Sequence, residues 1–199
     1  MPLDPELVPT LWKRIESALS EVLPDPSKIR LAAAATEDAI RNLETTIGIQ
    51  LPEDLRASLR VHNGQTDCNA VSFCNDGRLL SVTGIADTWF LFRRIIEEQR
   101  EQPADLNPSF ALEEWWNTSW VPFAECDAEN LCVNMDPTVR GTAKFGAVIR
   151  HLRSDTFESV APSFGDWLDW VARRIERSAF TVDEDGFSWL DHEAFEPAE

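Results

Sequence analysis

Between Glu6 and Val22 the apolar residues Leu7, Leu11, Ile15, Ala18, Leu19 and Val22 recur at spacings of three and four, with Trp12 beside them. That period predicts an amphipathic helix with one face in a core. Pro24 and Pro26 end it, because proline has no backbone N–H and crowds the preceding turn. A second helix is predicted from Thr36, whose hydroxyl caps the first turn, to Gly48, with Glu37 and Asp38 where the helix dipole favours negative charge. Pro52, Glu53 and Asp54 open a third, reaching about Val61, and Asn63-Gly64 stops it. The period then changes. Val71, Phe73, Leu79 and Val82 flank Asn75-Asp76-Gly77, a turn composition that predicts a β-hairpin. From Asp87 to Glu101 the helical period returns, with Phe90, Leu91, Ile95 and the stem of Arg94 directed inward.

From Trp120 onward, apolar runs at 120–124, 131–135, 145–152 and 157–161 alternate with turn-type residues and predict an antiparallel meander. In the second run Leu131, Val133 and Met135 share a core face, while Cys132, Asn134 and Asp136 share one that is partly wet. Ser163 caps a last helix, whose stripe of Phe164, Trp167, Leu168, Val171 and Ile175 covers one face of the sheet. The fold class is α+β: a single domain over 1–177, with an antiparallel sheet of about five to six strands flanked by N-terminal helices and a C-terminal helix. Residues 178–199 hold seven acidic residues and no Lys or Arg, together with Phe180, Phe187, Trp189, Leu190 and Phe195. Those aromatics point to a tail docked on its own domain or on a partner, not a solvated one.

Five short segments in fixed order carry a family resemblance. They are Leu51-Pro52-Glu53-Asp54-Leu55; His62-Asn63-Gly64-Gln65; Trp120-Val121-Pro122-Phe123-Ala124-Glu125; Asn130 to Pro137 leading into Gly146-Ala147-Val148-Ile149; and Ser163-Phe164-Gly165-Asp166-Trp167-Leu168. Together, over roughly residues 12 to 172, they resemble the signature of the SMI1/KNR4 family, the SUKH superfamily. The chain departs from it at Asp127-Ala128-Glu129, where the family has a glycine-rich D-G-G. Bacterial members are mostly immunity proteins that bind a toxin, and fungal members are regulators and scaffolds of cell-wall synthesis. The resemblance therefore implies a non-enzymatic protein-binding domain. It is read first as an immunity protein that neutralises a cognate polymorphic toxin by direct binding, and alternatively as a regulatory scaffold of cell-wall synthesis or signalling.

Charge narrows the partner. With 18 Lys and Arg against 35 Asp and Glu the chain carries a formal −17, which opposes nucleic acid and anionic membranes and favours a basic protein, a toxin or an enzyme. The N-terminal Met1-Pro2-Leu3-Asp4-Pro5-Glu6 carries acid where a signal peptide needs base, and no apolar run approaches the roughly 20 residues that span a bilayer, so a cytoplasmic protein is expected, monomeric or weakly homo-oligomeric. Cys68, Cys74, Cys126 and Cys132 fall six apart within each pair, too wide for common zinc knuckles, which predicts reduced thiols with no metal and no cofactor.

Candidate chemistry is sparse. Asp183-Glu184-Asp185-Gly186 fails as a calcium loop, since Thr181 and His192 stand where Asp and Glu are needed. Asp127, Glu129 and Asp136 have no sugar-binding frame around them, and His62, His151 and His192 have no nucleophile motif. The expected partner-binding residues are instead the acids Glu125, Asp127, Glu129, Asp183, Glu184 and Asp185, with Trp115 and Trp116 as aromatic anchors. Adjacent residues on a helix or strand cannot both face one core, so at least one of the two tryptophans is expected at the surface or beneath the tail.

Overall fold

The computed structural model describes residues 3–23, 25–66, 77–101, 115–125, 129–138, 144–152, 157–182 and 187–189. A 3-10 turn, Pro5–Leu7, leads into α1 (Val8–Val22), followed by α2 (Glu37–Ile47), α3 (Glu53–Leu59), β1 (Arg78–Leu79) and α4 (Val82–Glu101). Then come β2 (Trp120–Glu125), β3 (Glu129–Asn134), β4 (Val148–Leu152), β5 (Phe157–Ala161), α5 (Phe164–Glu176), β6 (Phe180–Val182) and β7 (Phe187–Trp189). Strands β1 to β5 form one antiparallel sheet in chain order, and β6 pairs with β7 in a separate two-stranded sheet. The four runs read from the sequence become β2 to β5 as consecutive neighbours, as short connections favour. The domain is α+β, and among the described residues no helix is long and apolar enough to cross a membrane.

Local chemistry sets the helix ends. The Thr36 hydroxyl accepts from the Ala39 N–H at 3.1 Å, and Gly48 closes α2 at φ +72°. Ser163 accepts from the Asp166 N–H at 3.1 Å to start α5. On α1 the buried stripe is Val8, Leu11, Trp12, Ile15 and Leu19, while Leu7 and Val22 are exposed. The stripe is thus one residue out of the expected phase at its start, because the 3-10 turn rotates the entry to the helix.

Three expectations need correction. Helix α4 starts at Val82, five residues earlier than Asp87: Ser81 Oγ accepts from the Gly84 N–H at 3.1 Å and Asn63 Oδ1 from the Val82 N–H at 2.8 Å. Val82 is therefore helical, and Leu79 pairs with Ala124 of β2; Val71, Phe73 and the Asn75-Asp76-Gly77 turn lie outside the described residues. That start fixes the phase of α4, so Ile85, Trp89, Phe92 and Ile96 face the core, while Phe90, Leu91 and the Arg94 side chain do not. Finally, Cys132 and Val133 are both 0% exposed. Neighbours on a strand point to opposite faces, so β3 is covered on both sides, and Asn134 and Asp136 are buried instead of wet.

The helices that cover it are identified by their rings. Phe92 of α4 meets the imidazole of His151 edge-on at 4.8 Å, and Phe164 and Trp167 of α5 meet Phe123 at 5.0 and 4.9 Å. Phe123 sits at a bulge between Pro122 and Ala124. Helix α1 lies along α5, held by Arg14, which reaches Asp169 at 2.9 Å and Glu176 at 2.8 Å.

Candidate interaction surface

Most polar residues of the five signature segments make contacts that hold the fold together. Asp54, on the first turn of α3, accepts from the Gly165 N–H at 2.8 Å and so caps α5. Asn63 holds the first turn of α4. Gln65 donates to the Ile29 carbonyl at 2.7 Å and accepts from the Leu79 N–H at 3.0 Å, tying the edge of the sheet to the turn before α2. Gly64 has φ +70°, and a Cβ there would lie 2.5 Å from the Leu80 carbonyl carbon, so only glycine fits. Asp136 accepts from the Asn117 amide at 2.7 Å and from the Thr138 hydroxyl at 2.6 Å, which closes the end of β3. His62 reaches the Ala32 carbonyl at 3.0 Å and Glu16 at 3.1 Å, edge-on to Trp12. The signature describes how this domain is stapled, and it gathers no nucleophile with a base. Cys132 is equally inert, since complete burial pushes its thiol well above the ordinary range and keeps it protonated.

The expected partner-binding residues separate into three groups. Trp115 and Trp116 are buried, at 4% and 1% exposure. Trp116 stacks on Phe92 at 4.5 Å and meets Trp120 at 5.6 Å, while Trp115 lies 5.1 Å from His151. Neither is a surface anchor. Helix-or-strand alternation failed as a guide because Trp116 lies beyond any regular element, where successive side chains are free to converge. Glu125 and Glu129 flank the β2–β3 turn, and both are engaged: Arg78 holds Glu125 at 2.6 Å, and Arg150 lies 3.3 Å from Glu129. Asp127, Asp183, Glu184 and Asp185 lie outside the described residues. Cys68, Cys74 and Cys126 do as well, and among the described residues no group of three His, Cys, Asp or Glu side chains is placed to hold a metal ion.

Many of the cations are engaged in a few networks. Arg56, partly buried, lies between Glu37 and Glu44, with Arg60 on Glu37 at 2.9 Å, and this joins α2 to α3. Such pairing engages these cations in a chain that holds 35 acids against 18 Lys and Arg.

What the sequence reading missed is the outer side of α4. Phe90 and Leu91 are 42% and 41% exposed, and with Asp87, Arg93, Arg94 and Glu97 they line an open groove of about 630 Å³. The signal was present in the chain: Ile85, Trp89, Phe92 and Ile96, spaced four, three and four, define the buried stripe and place Phe90 and Leu91 off it. Phe145, just before β4, is more exposed still at 58%.

The SMI1 / KNR4 family (SUKH-1) profile matches residues 34–170. Among curated proteins the chain is similar to the cell wall biosynthesis/cell cycle regulator smi1 of Schizosaccharomyces pombe, with 27% identity over 197 residues. That match covers 91% of this chain and 38% of the relative, so the chain spans well under half of that protein's length.

Proposed function

The chain belongs to the SMI1/KNR4 family (SUKH-1), and from that premise we propose that it acts by binding a protein partner, as a regulatory scaffold domain, and not by catalysis. The observation that carries the proposal is the use of the signature's polar residues as internal staples, which leaves surface features to do the work. Likeness to a cell wall biosynthesis and cell cycle regulator over nearly the whole chain supports the regulatory form of this reading. A second reading, an immunity protein that occludes a toxin, is favoured by the formal −17. Enzymes that act on nucleic acid or other anionic substrates present basic surfaces, and opposite charge speeds encounter toward ~10⁸–10⁹ M⁻¹s⁻¹ at low salt. Both readings require a partner, and the second requires a basic one.

Gene deletion separates them. The regulatory reading expects the deletion strain to grow but to become hypersensitive to agents that weaken the cell wall. The immunity reading expects deletion to be tolerated only when the neighbouring toxin gene is removed as well. A deletion with neither phenotype, together with no saturable binding of the purified protein to the neighbouring gene product or to wall-synthesis enzymes, would overturn the proposal.

A further inference from the structure

An amphipathic helix that packs one stripe on a core normally shows water a polar back, yet α4 sets Phe90 and Leu91 side by side at the middle of its outer face. The charges around them are ordered. Asp87 lies one turn towards the N-terminus and Arg94 one turn towards the C-terminus, on the same exposed stripe. Arg93 stands at the border, its guanidinium 5.6 Å from the Trp89 ring and paired with Glu97 at 2.8 Å. Arg94 and Glu98 are 3.6 Å apart and both largely exposed, so that contact is weak and easily exchanged.

This arrangement is self-complementary. When two such helices lie antiparallel about a two-fold axis passing between Phe90 and Leu91, Phe90 of each faces Phe90 of the other, Leu91 faces Leu91, and Asp87 of each faces Arg94 of the other. Isologous contacts make every favourable pair occur twice. Sliding the helices by one turn instead sets Asp87 against Glu97 or buries Arg94 against Phe90, both unfavourable. We infer that the outer face of α4 is a self-association surface, occupied by α4 of a second copy of this chain in that antiparallel register. The groove beside Phe90 and Leu91 receives the same side chains of the second copy. A single pair of helices covers less than the ~1,200 Å² typical of stable complexes, so the dimer is weak, in rapid exchange and dependent on concentration. The inference does not depend on which partner the domain regulates.

Sedimentation velocity on the full chain, from about 5 µM to about 500 µM, tests it. A weight-average mass that climbs towards twice the monomer is expected. Phe90→Ser and Leu91→Ser should each weaken association about tenfold or more, and leave the far-UV circular dichroism spectrum unchanged because both sites are exposed. Asp87→Arg alone and Arg94→Asp alone, each setting like charges across the axis, should weaken it roughly three- to tenfold. The double exchange Asp87→Arg with Arg94→Asp should recover it to within about twofold, which a merely structural role for either residue would not produce. A chain that stays monomeric at about 500 µM overturns the inference, and so does a double exchange as weak as the singles. Either result would leave the face to a different protein.

Discussion

The carboxylate of Asp54 accepts the N–H of Gly165 at 2.8 Å, so the first turn of α3 caps the first turn of α5 across 111 positions of sequence. A second oxygen accepts the Leu55 N–H at 2.9 Å, and the residue is almost fully buried. Two helix N-termini thus share one acid, each favouring negative charge there.

Asp54→Ala should cost about 1–3 kcal/mol, because the Gly165 N–H is left buried without its acceptor; Asp54→Asn, which keeps an oxygen, should cost less. The pH dependence is distinctive. Burial, the larger effect, pushes the Asp54 carboxyl above its ordinary value against the pull of its hydrogen bonds to Gly165 and Leu55. A raised folded-state value means a contribution fully present below the ordinary carboxylate range and lost as pH rises through the raised value. The stability of the parent relative to Asp54→Asn should therefore improve on acidification. Urea midpoints for both proteins over a series of pH values check this, and a constant difference would refute it.

Glu176 behaves in the opposite sense. The hydrogen bond from Arg14 holds its carboxyl below the usual value, and Arg14 in turn is raised by Glu176. The pair's contribution is present above the ordinary glutamate value and disappears as pH falls through the lowered one. Because the two side chains are 36% and 37% exposed, solvent screening limits the cost of Arg14→Ala to under about 1 kcal/mol. The gap between Arg14→Ala and the parent should narrow in acid and in high salt. A gap that widened under either condition would rule out the ion pair as its origin.

Gly48 and Gly64 share a left-handed backbone, at φ +72° and +70°, but differ in their surroundings. A Cβ at Gly48 meets nothing within 4 Å, whereas at Gly64 it meets three backbone atoms of Leu80 and Ser81 at 2.5–2.6 Å. Gly48→Ala should cost about 1–2 kcal/mol, the left-handed penalty alone. Gly64→Ala carries that penalty and must also move the backbone between β1 and α4, so its cost should exceed that of Gly48→Ala by more than about 1 kcal/mol. Equal losses in thermal or urea unfolding would contradict the geometry.

These contrasts also show what was legible in the sequence. Caps at Thr36 and Ser163 and the order of β2 to β5 depend on residues close together in the chain, and local chemistry was enough to read them. Reading the apolar residues from Asp87 onward misplaces the phase of α4; the start that Asn63 fixes, 19 positions upstream, adds Ile85, whose spacing to Trp89, Phe92 and Ile96 gives the buried stripe. The burial of Trp115 and Trp116 depends on Phe92 and His151, brought together only when the sheet forms. The signature residues were recognised as a set, but whether they staple the fold or meet a partner is decided by contacts such as Asp54 with Gly165, which no spacing reveals.

Asn130 stands apart from the other signature residues. It lies in the middle of the sheet, opposite Glu125 on β2 and His151 on β4, and is 1% exposed. Among the described residues, neither its amide nitrogen nor its carbonyl oxygen has a hydrogen-bond partner. A buried polar group left unpaired costs roughly 1–3 kcal/mol, and its replacement by an apolar group of similar shape removes that cost. Valine has one side-chain heavy atom fewer than asparagine, is β-branched and suits a central strand. Asn130→Val should therefore stabilise the protein by about 1–2 kcal/mol, with unfolding still a single cooperative transition in urea and heat. A destabilisation of that size would mean that the amide is satisfied in solution, and the account of this face of β3 would have to change. Stabilisation accompanied by weaker partner binding would instead identify Asn130 as a residue that serves binding at the expense of stability, as functional positions commonly do.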